Sequence, residues 1–503
     1  MNFAEALQIA RAVNREAVYY RSLSGLFQYD QWTSLPRRGG AYRQEMSAFF
    51  GAQKAKLYAS DDARSAAAYL DGAPLAEIEN DADRAQARIF RRDYRNAALI
   101  PADTLREFTL IKADVLNAWK EAREKRDYRI FTPWLKRAFA LKAEIARAIA
   151  PGEPIFNTLV SMTDEGVKAA DVSREFARLR DGLVALNARI RFCGKKIPRD
   201  FMLRDHDPGT LMEIGRRLAC WNGLDPETAT FNDRAVHGMT NRPGPLDSRI
   251  STARLGRIDM IFTLLHEGGH AMYSSRTDPA LRDEGLWGGT TGALQEGAAR
   301  FYENVVGRSR EFWQYHYGAL QAALPEFKDL PSEDFYAGIN AVSPSPKRTT
   351  ADEVTYSLHI IVRFELERDY FAGLIEAEDL ADAWDDAYER TLGLRPANDL
   401  EGILQDIHWA SDYIGYFQSY ALGNIYSGQW RAALLKKHPD AFTRLAAGNI
   451  DGIDGWMQEH LFRWGCCFTS PELMKRVAGN ELDAGPYLHY LNEKYSRLYG
   501  FKI

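Results

Sequence analysis

Helical periodicity dominates the distribution of apolar and polar positions. Between residues 133 and 150, Leu135, Phe139, Leu141, Ile145 and Ile149 recur at helical spacing. The same pattern predicts helices over roughly 3–26, 80–125, 173–192, 256–275, 292–326, 350–375 and 378–392. The breaks are local: Pro151-Gly152, Pro243-Gly244-Pro245 and the run Ser343-Pro344-Ser345-Pro346 read as turns. No low-complexity linker and no repeat at solenoid period divides the chain. The expectation is a mainly α protein built as a single large helical domain. One stretch departs from it. Residues 228–252 are rich in Asn, Gly, Pro, Thr and Asp and end in Asp247-Ser248-Arg249-Ile250-Ser251-Thr252, which suits a short strand or hairpin. A small sheet there would precede the helix at 256–275 and offer an edge for strand addition by an extended ligand.

Composition narrows the function classes. Of 503 residues, 46% are hydrophobic and 26% charged, the balance of an ordinary globular protein with ample material for a core. A formal net charge of -5 argues against a nucleic-acid binder that works by neutralising phosphates. The N-terminal segment already carries Glu5, Arg11, Arg15 and Glu16, so no signal-peptide core fits there, and no apolar run is long enough to span a membrane. Four cysteines, Cys193, Cys220, Cys466 and Cys467, are too few for a disulfide scaffold; reduced thiols in a cytoplasmic protein are the expectation.

The chemistry is concentrated in Thr263-Leu264-Leu265-His266-Glu267-Gly268-Gly269-His270, which contains H-E-x-x-H. Two histidines four residues apart share one helix face and can bind one metal ion, with the intervening glutamate placed to activate water. An apolar stripe of Ile258, Phe262, Leu265, Gly269 and Met272 marks the helix as buried. Gly268 and Gly269 each cost about 1 kcal/mol relative to alanine in a helix, so their presence beside the histidines predicts a close approach of backbone or substrate. With ten histidines in the chain, chance would produce the motif in roughly one or two per cent of such sequences. A catalytic zinc site also needs a third protein ligand and an open position. Glu296, on a second predicted helix after a turn rich in glycine (Gly285, Gly288, Gly289, Gly292), supplies it. The set His266, His270 and Glu296 with Glu267 as general base predicts one zinc ion per chain, cobalt or manganese being chemically acceptable. Glu303, two turns beyond Glu296, is placed either to support a ligand or to form a salt bridge.

Further motifs extend the comparison along the chain. Tyr29-Asp30-Gln31-Trp32-Thr33-Ser34-Leu35-Pro36, Asp247-Ser248-Arg249-Ile250-Ser251, Arg348-Thr349-Thr350-Ala351-Asp352, Gly402-Ile403-Leu404-Gln405-Asp406-Ile407-His408-Trp409 and Gly415-Tyr416-Phe417-Gln418-Ser419-Tyr420-Ala421-Leu422-Gly423-Asn424 stand in that order. Together with H-E-x-x-H they resemble the M32 metallocarboxypeptidases of the thermostable carboxypeptidase Taq type. The departures are His237-Gly238-Met239 for the family's H-P-F, Gln295-Glu296-Gly297 for its H-E-S, Lys347-Arg348 for its I-R, and Gln418 for the proline of its G-Y-F-P.

The resemblance implies one peptidase domain over 1–503, with a zincin-like H-E-x-x-H helix and a small sheet beside a deep active-site groove. Residues 1–200 would form one groove wall and 201–503 the metal-site part. It implies release of C-terminal residues from peptides, and a homodimer. His408, Tyr416 and Tyr420 become candidate donors to the tetrahedral oxyanion; core packing with hydrogen-bonded polar tips is the alternative for each. Arg348 and Arg249 become candidates for the substrate's terminal carboxylate, since a guanidinium fork binds two oxygens at once; structural salt bridging is the alternative. His237 is a pocket-lining candidate, and His359, inside an apolar helical run, is read as packed or supporting. Three competing functions remain: a dedicated hydrolase for one small peptide-like amide, a non-catalytic binding protein on a peptidase fold, and an endopeptidase of a related helical zinc family. The first two bind a peptide or small amide all the same; none calls for nucleic acid or membrane.

Overall fold

The computed structural model describes residues 1–502. Helix α1 (Phe3–Thr33) opens the chain behind a capping box, in which Asn2 accepts from the Glu5 amide (3.0 Å) and Glu5 reaches back to the Asn2 amide (2.9 Å). It runs about two turns beyond the predicted end and carries Tyr29–Trp32 in helical form. The helix expected over 80–125 is two, Asp81–Ala98 and Ala102–Lys125, because Pro101 between them cannot donate to the ladder.

The irregular stretch folds as a three-stranded sheet: β1 (Ala229–Asn232), β2 (Arg234–Gly244) and β3 (Asp247–Ala253), in the order β1-β3-β2. β3 is central, parallel to β1 and antiparallel to β2, so that Phe231 and Thr240 flank the buried Ile250. β2 is an edge strand, with register shifts on either side of its Met239–Asn241 segment, and it lies along α1.

Helix α2 (Asp259–Ser275) carries the H-E-x-x-H residues. It is buried on nearly every side rather than along one stripe, because it is packed between the helix Pro208–Trp221, the sheet and helix α3 (Gly292–Arg300). The glycine-rich turn brings the chain back as expected: Gly285 and Gly288 adopt φ of 77° and 78°, a region costly for residues with a Cβ. α3 is shorter than the helix predicted over 292–326. At Phe301–Val306 it widens into a π-helical turn, with the Gly307 amide donating to the Tyr302 carbonyl five residues back (3.0 Å), and a new helix starts at Arg310. Helix α4 (Gln418–Lys437) lies across α3.

Apolar packing divides near residue 90. The main cluster runs from Ala85 to Tyr499 and includes the helices after residue 102. A small separate cluster of Ala6, Leu7, Ala10, Ala17, Tyr58, Ala63, Ala66, Ala67, Leu70, Ala87 and Phe90 holds the first helices together. Residues between Asn14 and Asp93 line one side of a cavity that also borders Thr240, Arg242 and Gln295. Among the described residues no helix is long and apolar enough to cross a membrane, and all four cysteines are free.

Candidate metal centre

The two helices that meet at the centre touch backbone to backbone. A Cβ on Gly269 would stand 2.8 Å from the Ala298 carbonyl and from Ala299 Cα, and a Cβ on Gly423 of α4 would stand 2.7 Å from Glu296 Cγ. The glycine beside the motif histidines thus answers to close packing of α2 on α3, and Gly423 does the same from the far side. The N-terminus of α3 is pinned as well: Asp164, fully buried, accepts from the Ala293 amide (2.8 Å), Ser419 (2.7 Å) and Gln418 (3.1 Å).

Clasped this way, α2 and α3 bring His266, His270 and Glu296 together, with donor atoms all within 4.8 Å of one another. Both imidazole Nε2 atoms lie 3.8 Å from the same Glu296 oxygen, Oε2. The opposite ring nitrogens are engaged elsewhere. His266 Nδ1 donates to Glu303 Oε2 (2.9 Å) and His270 Nδ1 to Gln295 Oε1 (3.3 Å), which leaves both Nε2 lone pairs facing the carboxylate. Arg300 binds the other oxygen of Glu296 (2.7 Å) and also Glu303 (3.0 Å), while its guanidinium lies 4.2 Å from the Tyr356 ring centroid. Burial alone would raise Glu303; Arg300 and His266 outweigh it and hold the carboxyl at about 2. Two imidazoles and a carboxylate, each fixed by an outer partner, form a donor set that suits a divalent cation.

Glu267 is buried on the same helix. Burial raises its pKa, against the pull of His266 and of the Thr240 hydroxyl, which donates to Oε2 (2.7 Å). The alternation of β2 points Gly238, Thr240 and Arg242 toward α2 and α3: Gly238 has no room for a Cβ, which would meet Glu267 Oε1 at 2.8 Å, and Arg242 donates to Gln295 Oε1 (2.8 Å). Gln295 stands at the family's histidine position, and its one oxygen serves both Arg242 and His270.

The later candidates form one aromatic cluster. His408 stacks on Phe417 (4.5 Å between centroids) with Nε2 3.1 Å from the Tyr420 hydroxyl, and burial pushes its pKa down to about 3, so the ring is neutral. Tyr416 lies 5.4 Å from Tyr420, ring to ring, and its hydroxyl has no hydrogen bond among the described residues. Arg348 binds Asp406 Oδ1 through Nε (3.0 Å) and Nη2 (2.8 Å) and covers the Tyr420 ring at 5.1 Å, which brings it to this cluster. Burial alone would raise Asp406; Arg348 and Arg363 hold it far below the usual carboxylate range. Arg249 pairs with Asp247 (3.0 Å) over the Tyr29 ring and touches none of His266, His270 and Glu296. His237 is exposed against Trp32 of α1 (5.9 Å). His359 is fully buried and bonded to the Tyr388 hydroxyl (2.9 Å), a packed histidine.

The sequence profile of the Carboxypeptidase Taq (M32) metallopeptidases matches residues 10–495. The chain belongs to that family. It is 32% identical to thermostable carboxypeptidase 1 of Thermus thermophilus over 97% of both chains, and 35% identical to thermostable carboxypeptidase 1 of Pyrococcus furiosus over 83% of this chain and 84% of the other. Its fold superposes on the crystal structure of the M32 carboxypeptidase from Deinococcus radiodurans with a TM-score of 0.92 at 33% identity, covering 98% of this chain and 99% of that one. As an M32 enzyme the chain is a metal-dependent carboxypeptidase, a peptide hydrolase. Sequence reasoning missed Thr240, Arg242 and Arg300. Arg300 carried a readable signal, its spacing of four from Glu296; the other two act across a strand-to-helix contact that no local spacing encodes.

Proposed function

We propose that His266, His270 and Glu296 hold one zinc ion per chain and that Glu267 is the general base for release of C-terminal residues from peptides. The observation that carries this reading is the convergence of two Nε2 atoms on one Glu296 oxygen while both Nδ1 atoms are otherwise occupied. A bound zinc ion supplies Lewis acidity, making water a stronger acid and polarising a carbonyl. Cobalt or manganese fits the same donors, and metal analysis of the purified protein decides among them.

The chain's own groups divide the remaining work. Glu267 takes the proton of the attacking water and delivers it to the leaving amine; its burial keeps it basic enough for the first transfer and acidic enough for the second. Tyr416, with a free hydroxyl, is the readiest donor to the developing oxyanion, and Tyr420 with neutral His408 flanks it. Each arginine already pairs with a carboxylate, Arg348 with Asp406 and Arg249 with Asp247; Arg348 is the better-placed receptor for the terminal carboxylate because it lies on the Tyr420 ring within the aromatic cluster, whereas Arg249 stays at the sheet, and His237, exposed against Trp32, is the pocket-lining candidate. A cytoplasmic homodimer completes the reading, supported by the four free thiols and the family resemblance, and sedimentation of the purified protein tests the dimer.

The test is Glu267→Gln. The variant retains stoichiometric metal and loses turnover of N-blocked dipeptides by roughly 10²- to 10⁴-fold, the scale of a general base. Undiminished turnover by that variant removes Glu267 from the role.

A further inference from the structure

A cavity of about 730 Å³ lies between α1 and the sheet, and reaches the metal centre at Thr240 and Gln295, the residues that hold Glu267 and His270. Its walls carry four cations, Arg21, Lys54, Arg92 and Arg242, against a single carboxylate among the described residues, Asp93. Arg92 is already spoken for, by Asp93 (2.8 Å) and Glu165 (2.9 Å). None of the other three has a carboxylate oxygen within 4.0 Å among the described residues. Arg242 bonds only the Gln295 amide, and Arg21 lies 5.7 Å from the Trp287 ring. Burial pushes down both Lys54 and Arg242; Asp93 opposes this at Lys54 and Glu267 at Arg242, and the charge of Arg21 adds a smaller push in the same direction as burial.

Three like charges around one partly buried cavity repel each other and lack counter-charge, an arrangement that is unfavourable in the free protein and is relieved by an anion. The size is that of a ligand site rather than a packing defect. The terminal carboxylate of a substrate is not the natural occupant, because Arg348 and Arg249 lie outside these walls.

We propose that this cavity is a specificity subsite in which Arg21, Lys54 and Arg242 receive side-chain carboxylates of acidic peptides. The proposal rests on the carboxypeptidase reading above. Gln295 ties it to this chain: with glutamine in place of the family's histidine, the Arg242 guanidinium is held at the metal end of the cavity by a neutral acceptor and keeps its charge for the ligand.

The test uses N-blocked di- and tripeptides that differ only as Glu against Gln at the last, penultimate or antepenultimate position. At one of these positions kcat/KM favours Glu by about ten- to hundred-fold, the effect of one charge-assisted hydrogen bond, and the preference shrinks as salt is raised. Arg21→Gln and Lys54→Met each lower the Glu/Gln ratio, and Lys54→Glu turns the preference toward Lys over Gln. Cleavage of the Gln peptides with a ratio near one at every position overturns the subsite and leaves the peptidase reading standing. Equal losses for Glu and Gln peptides in the Arg21 and Lys54 variants also overturn it, assigning those cations to the terminal carboxylate. If no peptide is cleaved, the peptidase reading fails, and calorimetric titration of the wild-type protein with the blocked peptides judges the subsite alone: tighter binding of Glu peptides supports it and equal binding ends it.

Discussion

Thr240 sets the working range of Glu267. Burial favours the protonated carboxyl, and the hydroxyl of Thr240, donating at 2.7 Å, favours the charged one. Activity requires the charged form, so kcat/KM declines on the acid side with an apparent pKa above the ordinary 4.5 of a glutamate. Thr240→Val removes a donor that stabilises the anion, so the limb moves to higher pH while the alkaline plateau changes less; a pH–rate profile that shifts the other way would refute this account. The residues that make up the candidate site were legible to different degrees. His266, Glu267 and His270 announce themselves by a spacing of four on one helix, and Glu296 by its place on the helix that must double back. Gln295 was visible only as a departure; its role appears once Arg242 is seen on its other side. Thr240 sits twenty-seven positions before Glu267 and reaches it only because an edge strand crosses a helix.

At the level of elements, the metal centre depends on how closely α2 and α3 approach. Gly269→Ala puts a methyl 2.8 Å from the Ala298 carbonyl, and the backbone on both sides is too constrained to yield freely. The expected cost is about 1–3 kcal/mol, as for other overpacked sites, together with weaker metal retention, because parting the helices widens the 3.8 Å spacing between Glu296 and the imidazoles. Thermal unfolding and competition with a metal chelator read the two effects separately, and a variant unchanged in both would show that the contact is slack. Periodicity found most helices, since their burial follows the 3.6-residue repeat, and the turn residues located the sheet. It could not find the π turn at Phe301–Val306: apolar residues three and four apart fit α- and π-helical turns alike, and the bonds of Glu303 and Arg300 to His266 and Glu296 that accompany the turn are not encoded in that spacing.

For the whole molecule, a cation held by ligands from two helices favours the folded state over the unfolded one by mass action. Stripping the metal with a chelator lowers the Tm, and returning zinc restores it; a calorimetric trace indifferent to metal would count against the three-ligand centre. The order of the motifs along the chain identified the family and with it the architecture, whereas the division of the core did not follow from sequence, since the small alanine side chains of a helix such as Asp61–Asp71 carry no signal of which cluster they join. That division has a mechanical side. Arg21 and Lys54 stand on helices whose apolar residues are buried among themselves, and Thr240, Arg242 and Gln295 belong to the main body. A peptide in the proposed subsite would lie between walls anchored in separate cores, so a methyl group lost at Ala63 or Leu70, in the smaller core, is expected to weaken use of long substrates before it affects short ones.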